Sequence, residues 1–478
     1  MINESTLGIA HSHPSLEELE RAAQQVLRWS LDHFATLPDQ PIGLSAPPAE
    51  LRQRLDEPPP TEGQPFDDVL ARFQKSIASY AFRTNHPRFL ALVPGAPAFP
   101  SVLGDWLCAS ANFFCGVWLE AAGPTQVELT VLDWFKTWLG YPKQSRGLLT
   151  SGGSEANLTA LIVARERIPF ADRSRSVLYV SEQRHWSIDR AAKIIGLHPD
   201  QIHPVAAGPD LKLHANALMD AIRLDRQAGR LPWAVVANAG ATNTGTVDPL
   251  ADLANVCHRE NLWLHVDAAY GWAAVLIEEG RQAMAGIGAA DSITLDPHKW
   301  FAQTFDVGCL LVRDGARLEE AFALRPEYLQ DVTPSDGEIN FADHGIALTR
   351  RFRALKIWLS VQMLGANWFR DLTDRCCRLT EYAQHLLETA GCFEILHPRQ
   401  LSIVCFRYRR DGLDEPTLDR LNETIARELL ASQRAFLSST RLHGRFALRM
   451  CFINWRTTTA DVVEIVERLA QLGDRAGR

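Results

Sequence analysis

Apolar positions in residues 15–37 recur at helical spacing. Leu16, Leu19, Ala23, Val26, Leu27, Leu31 and Phe34 share one stripe, which predicts an amphipathic helix. The stretch 38–65 contains Pro41, Pro47, Pro48, Pro58, Pro59 and Pro60 and reads as an extended connection, because proline removes a helical donor and crowds the preceding turn. A further helix is expected at 66–80. This N-terminal unit is too small to bury its apolar face alone, so it must pack on the main body or on a second subunit.

From about residue 85 to 315 the pattern changes. Short apolar runs at 146–150, 176–180, 233–238, 262–266, 292–295 and 308–312 predict strands. Between them, helical periodicity predicts helices at 125–139, 155–167, 188–195, 214–228 and 249–260. Such alternation implies an α/β fold with a mostly parallel sheet covered on both faces. In these sheets ligands sit beyond the carboxyl ends of the strands. Residues 326–345 are polar and rich in turn formers, the composition of a mobile surface loop. A long helix at 352–364 leads into a smaller α+β unit with strands at 401–408 and 446–454 and a last helix at 459–472. The expected organisation is therefore 1–80 helical, 81–365 as the large sheet domain, and 366–478 as the small C-terminal domain.

Composition narrows the function. The 478 residues are 46% hydrophobic and 22% charged, an ordinary globular balance. The net charge is -8 and there is no basic run, so nucleic acid and anionic membranes are poor partners. No stretch approaches the roughly 20 apolar residues of a membrane span. Residues 1–14 are polar and do not resemble a secretory signal. The nine cysteines form no C-x-x-C pair, so no zinc or other metal site is indicated. Free, mostly buried thiols in a reducing cytoplasm are the simpler reading.

Chemistry-bearing residues follow the predicted strands. Asp267 ends the run Trp263-Leu264-His265-Val266-Asp267. Lys299 follows the strand at 292–295 in Asp296-Pro297-His298-Lys299-Trp300. A carboxylate and a lysine placed this way are what pyridoxal phosphate chemistry requires. The lysine forms the Schiff base, and the carboxylate keeps the pyridine nitrogen protonated so that the ring acts as an electron sink. Taken alone, Asp267 is also compatible with a helix cap or a salt bridge, and Lys299 with a solvated loop. Thr150-Ser151-Gly152-Gly153-Ser154-Glu155-Ala156-Asn157 lies at a strand-to-helix junction, where glycines allow close approach and a helix N-terminus accepts an anion. Ser151 and Ser154 add candidate hydroxyl donors, although an ordinary serine cap has the same appearance. His185 follows the second strand and is placed either to stack on a cofactor ring or to be a satisfied histidine. Thr242, in Ala241-Thr242-Asn243-Thr244-Gly245, offers a hydroxyl at the cofactor edge or belongs to a plain turn. Tyr328, on the loop, is a candidate acid or an anchoring aromatic. Arg350-Arg351-Phe352-Arg353 reads either as charge for a phosphate or acidic substrate, or as a solvated helix start.

These motifs, in this order, resemble the group II pyridoxal-phosphate-dependent decarboxylases of fold type I, the aromatic-L-amino-acid decarboxylase family. The resemblance runs from about residue 66 to the C-terminus. Its landmarks are Asn85-His86-Pro87-Arg88-Phe89, the glycine loop, His185, His265–Tyr270, Asp296–Trp300, Pro326-Glu327-Tyr328-Leu329, the arginine cluster and Asn454-Trp455-Arg456. It implies Lys299 as the cofactor-attached lysine, Asp267 as the partner of the pyridine nitrogen and His185 as the ring-stacking group. Ala269 is implied beneath the ring, Thr242 and His298 beside the cofactor, and Gly152, Gly153 and Ser154 around the phosphate. Tyr328 matches the loop tyrosine that returns a proton to carbon. The family further implies a homodimer whose N-terminal segments wrap the partner and whose active sites use both chains.

The chain departs from the family at Gly95, where a hydroxyl residue often faces the substrate, and at Leu92 and Gly116, where aromatic wall residues are common. Thr349 stands for a frequent glycine and Asp296 for a frequent asparagine. These differences bear on substrate identity, since a pocket without aromatic walls admits a bulkier or unusual amino acid. The expected activity is decarboxylation of an aromatic L-amino acid to the amine and CO2. The alternatives are oxygen-dependent decarboxylation-deamination to an aldehyde, decarboxylation of an acidic amino acid, and a non-catalytic cofactor-binding scaffold.

Overall fold

The six apolar runs between residues 146 and 312 all form strands, and a seventh joins them. They are β1 (Arg146–Thr150), β2 (Ser176–Ser181), β3 (Ile202–Val205), β4 (Leu231–Asn238), β5 (Trp263–Asp267), β6 (Ser292–Leu295) and β7 (Gly308–Val312). The computed structural model describes residues 13–93, 95–324 and 326–476, without the side chains of Tyr328, Leu329 and Ala476. The sheet order is β1-β7-β6-β5-β4-β2-β3. Pairs from β3 through β6 are parallel, and β7 runs antiparallel to both its neighbours. The central strands are buried on both faces, which is why they read as continuous apolar runs. β3 did not stand out because it is an edge strand, and Ile202-His203-Pro204-Val205 carries a polar residue and a proline that such an edge tolerates.

This topology gathers the carboxyl ends of β1, β2, β4, β5 and β6 along one edge. β7 reaches that edge with its first residue, Gly308, opposite Thr150. A Cβ on Gly308 would lie 2.5 Å from the backbone of Gly152, so glycine here lets the turn after β1 pass directly over the sheet.

The helix Leu16–Thr36 starts at a Ser15–Glu18 capping box and buries none of its residues. The proline-rich stretch differs from the expected extended connection. It holds a short helix, Pro48–Leu55, because prolines at the first helical positions lose no hydrogen bond there. The segment from Phe66 to Tyr80 is helical but changes pitch after Arg72. The helix Ala354–Thr389 breaks at Gly365 (φ 76°, ψ 154°), so the expected stop at 364 is a bend. The expected mobile loop at 326–345 is anchored in its second half. Phe341 and His344 are buried there, and Asn340 accepts from the Trp118 N–H and donates to the Val332 carbonyl.

A second, antiparallel sheet has the order β10-β11-β9-β8, with β8 at Phe393–Gln400, β9 at Ile403–Tyr408, β10 at Ser438–Leu442 and β11 at Arg445–Cys451. The helices Glu415–Ala431 and Thr459–Ala476 lie against it. One continuous apolar core runs through both sheets. Among the described residues, no helix is long and apolar enough to cross a membrane.

Candidate active site

A cavity of about 350 Å³ lies at the carboxyl edge of the seven-stranded sheet, walled by the loops after β1, β2, β4, β5 and β6. Gly152, Gly153, Ser154, His185, Thr242, Asp267, Ala269, His298 and Lys299 all line it. Of the residues singled out from sequence, Tyr328 stands apart. Its backbone lies in a short 3-10 turn, Glu327–Val332, and its side chain is outside the described residues.

The loop after β1 leads directly into the helix Gly153–Arg165, and no side chain caps that helix. Its first N–H groups and its dipole are therefore available to an anion at the cavity wall. The glycines are needed for closeness. A Cβ on Gly153 would meet Asp296 Oδ2 at 2.8 Å and Ala269 Cβ at 3.2 Å, and one on Gly152 would meet the His298 ring at 3.2 Å. Ser151 is not free to serve as a hydroxyl donor to a ligand. Its Oγ and N–H both donate to the Glu155 carboxylate, at 2.6 and 2.7 Å.

Asp267, 7% exposed, ends β5. Its Oδ1 accepts from the Ala269 N–H at 3.1 Å and its Oδ2 from Asn157 Nδ2 at 3.0 Å. Both donors are neutral, so the charge of this buried carboxylate is solvated but not cancelled. Lys299 pairs with a different carboxylate, its Nζ lying 3.1 Å from Asp296 Oδ2. Asp296 Oδ1 and Asn238 Nδ2 are buried at the cavity without a hydrogen-bond partner. Buried polar atoms of this kind are costly unless a ligand or water meets them.

His298 accepts the Val307 N–H at Nδ1 (3.3 Å) and turns Nε2 toward Asp296 Oδ2 at 3.7 Å. Burial lowers its pKa, with Asp296 opposing. His185 caps the helix Trp186–Ile194, accepting the Ser187 N–H at 3.3 Å. Burial lowers its pKa as well, against the pull of Asp267. Both rings are thus held toward the neutral form. Thr242 sits in a tight turn closed by Gly240 (φ 103°) and Gly245 (φ 77°).

Two expectations are corrected. The cluster at 350–353 supplies no charge to the cavity. Arg350 pairs with Glu128 at 2.5 Å, Arg351 with Asp105 at 2.8 Å and Arg353 with Asp306 at 3.4 Å. Arg350 is buried, so it is not a solvated helix start either. Gly95 and Gly116 open no extra room. A Cβ on Gly95 would fall 2.1 Å from the Lys299 carbonyl oxygen, and one on Gly116 2.6 Å from the Phe114 ring.

Sequence reasoning gave no role to Asn157, Ser187 or Asn238, which also line the cavity. Asn157 had a readable signal. It lies three residues after Ser154, one helical turn further along the same face.

A helix N-terminus without a side-chain cap, a buried carboxylate fed by neutral donors, and a lysine converge on one cavity that has unmet polar atoms. That set fits pyridoxal phosphate, with its phosphate, its basic ring nitrogen and its amine-reactive aldehyde. The description "pyridoxal-dependent decarboxylase conserved domain" matches residues 48–409. The chain is 39% identical over 462 residues to an aromatic-L-amino-acid decarboxylase of Bacillus atrophaeus, covering 96% of each chain. It is 29% identical over 446 residues to tryptophan decarboxylase 2 of Oryza sativa subsp. japonica, covering 91% of this chain and 90% of that one. The crystal structure of Oryza sativa TDC with PLP and tryptamine superposes with a TM-score of 0.93 at 26% identity, over 98% of this chain and 99% of that one.

Proposed function

This chain belongs to the pyridoxal-dependent decarboxylase family, and from that premise we propose that it converts an aromatic L-amino acid to its amine and CO2. The observation that carries the reading is the convergence of Lys299, Asp267 and the uncapped helix end on one cavity. Bound pyridoxal phosphate supplies an electron sink for the pair left when the carboxylate departs.

The chain's own residues bind, orient and move protons. Lys299 is the attachment point, and Asp296 holds its Nζ in place. Asp267 would pair with the ring nitrogen of the bound cofactor and keep it protonated. His185 and Ala269 would bound the ring of the cofactor, Gly152, Gly153 and Ser154 would receive its phosphate, and Thr242 and His298 would hold its edges. Tyr328 returns a proton to the α-carbon, since a phenol stays protonated near neutral pH. Holding the scissile bond across the ring plane is positional work for the cavity walls. The aromatic class is supported by the extent of similarity to the Bacillus atrophaeus decarboxylase.

The same proposal includes a homodimer with shared active sites. Leu16, Leu19, Val26 and Leu31 of the first helix are exposed, as are Trp106, Leu107, Phe113 and Phe114. Apolar area of this size favours a protein partner over water. The three-part division at residues 80 and 365 and a cytoplasmic location belong to the same reading, the latter supported by nine free thiols.

The test is aerobic incubation of the pyridoxal-phosphate-loaded protein with aromatic and acidic L-amino acids, following amine, aldehyde, CO2 and oxygen together. Amine and CO2 from aromatic substrates without oxygen uptake support the proposal. Aldehyde with oxygen uptake assigns the oxidative reaction instead, and turnover restricted to glutamate or aspartate overturns the aromatic class. No product with cofactor bound favours the scaffold.

A further inference from the structure

Asn157 stands at a fork between the two groups placed against the cofactor ring. One N–H of its amide donates to Asp267 Oδ2 at 3.0 Å and the other to Ser187 Oγ, also at 3.0 Å. Having accepted that bond, Ser187 Oγ turns its own proton to His185 Nδ1, 2.8 Å away, which already accepts the Ser187 N–H. His185 Nδ1 is therefore bare, and the neutral ring carries its proton on Nε2.

The other side of the amide is equally determined. The Asn157 carbonyl oxygen lies 2.9 Å from His265 Nε2, which must donate to it. Neutral His265 is then bare at Nδ1 and accepts from the Ser292 hydroxyl at 2.8 Å. The Ser292 oxygen in turn accepts the indole N–H of Trp263 at 2.8 Å. The direction is set at the other end, because a carboxylate only accepts: Asn157 must present Nδ2 to Asp267, which leaves its carbonyl oxygen for His265 Nε2. His265 and Ser292 meet because the β5–β6 register sets them side by side. Asn157, Asp267, Ser187, His265, Ser292 and Trp263 are all buried, where an amide flip would leave two donors facing each other and two acceptors facing each other. Burial pushes the His265 pKa down to about 4, which keeps this ring in the neutral form the chain needs.

We propose that Asn157 is a positioning residue that holds the Asp267 carboxylate and, through the Ser187 hydroxyl, reinforces the Nδ1-bare tautomer of His185, its own carbonyl oxygen anchored on His265. The proposal rests on the roles given above to Asp267 and His185. It assigns to one helical amide the coupling of the ring-nitrogen partner to the ring-face imidazole.

The test uses Asn157→Leu, a variant of similar volume without polar atoms, and Ser187→Ala, which removes the hydroxyl of the His185 arm and keeps its backbone N–H. Three readouts are taken: the imidazole 15N shifts of His185 with and without cofactor, the pH titration of the visible band of lysine-bound cofactor, and kcat against KM. Wild type should show a protonated Nε2 and bare Nδ1 at His185. In Asn157→Leu the His185 Nδ1 shift should move as the Ser187 hydroxyl is released, the band titration should move, and kcat should fall roughly tenfold or more with KM changed less than about threefold. Ser187→Ala should alter the His185 shifts and leave the band titration in place. A folded Asn157→Leu with wild-type His185 shifts and an unmoved band overturns the proposal. If Asn157→Leu does not fold, unchanged His185 shifts in Ser187→Ala overturn it instead. The tautomer is read in cofactor-free protein too, so a wild-type chain that binds no cofactor would refute the functional reading without deciding this one.

Discussion

Two carboxylates lie buried around the same seven-stranded sheet, and the protein treats them in opposite ways. Glu128, 1% exposed, accepts from the Leu149 N–H at 2.8 Å and from Arg350 at 2.5 Å. Burial pushes its pKa up, and the Arg350 guanidinium opposes that push. Its charge is cancelled within the scaffold. Asp267 receives only neutral donors, from Asn157 and Ala269, and faces a cavity. Among the described residues no cationic side chain hydrogen-bonds to it, and the proposed function gives its charge to the cofactor's ring nitrogen. The difference separates structural from functional burial. A paired buried carboxylate holds elements together, and one solvated only by neutral donors, at the carboxyl end of a parallel strand, is prepared for a protonated ligand.

Substitutions can break this contrast from either side. The largest effect is expected at Lys299, the proposed attachment point and, among the described residues, the one lysine that lines the cavity. Lys299→Ala should lower turnover by about 1,000-fold or more and abolish the visible absorption band, measured by steady-state kinetics and spectroscopy. Asp267→Asn keeps shape and loses charge. It should cost roughly 100- to 10,000-fold in kcat, by analogy with other charge-removing active-site changes, while denaturant unfolding of the cofactor-free protein moves by less than about 1 kcal/mol. Arg350→Met should do the reverse. Leaving Glu128 buried and alone should cost about 3–5 kcal/mol of stability in denaturant titration, and adding Glu128→Leu should recover most of it.

A pH series sharpens the same comparison. His265 lies in the donor chain to Asp267, and His344 lies near Arg350 on the other side. Burial pushes both down to about 4, and His86 with them. Their folded pKa values fall below the ordinary histidine value of about 6.5, so the unfolded chain binds more protons between these limits. Stability should therefore be fully present above about pH 6.5 and decline toward about pH 4, seen as a falling melting temperature. A melting temperature that rises on acidification through this window would contradict it. The smallest effect is expected for Arg351→Gln. Its pair with Asp105 is partly exposed, so less than about 1 kcal/mol and no change in kcat should result.

The seven-stranded sheet was legible where burial on both faces leaves an unbroken apolar run, as in β5 and β6. The edge strands β3, β8 and β10 carried no such signal, because half-exposed strands tolerate His203, Pro204, Glu394 and Arg441. The cavity residues were legible because each chemistry-bearing side chain follows a strand, as Asp267 follows Val266. The place of Asn157 on the face of Ser154 was legible, but its partners were not, because Asp267, Ser187 and His265 come from positions far along the chain. The cations at 350–353 pointed to the cavity because the sequence displays them together. The carboxylates that meet them arrive from positions 128, 105 and 306, far away along the chain.

The central claim is that Asp267 awaits a protonated ring nitrogen. The most direct measurement is the 15N chemical shift of the pyridine nitrogen in protein loaded with labelled cofactor, from about pH 6 to 8, near the range where free groups of this kind titrate. A pyridinium shift throughout that range in the wild type, lost in Asp267→Asn, is the predicted result. An unprotonated nitrogen in the wild-type protein with cofactor bound would contradict the account.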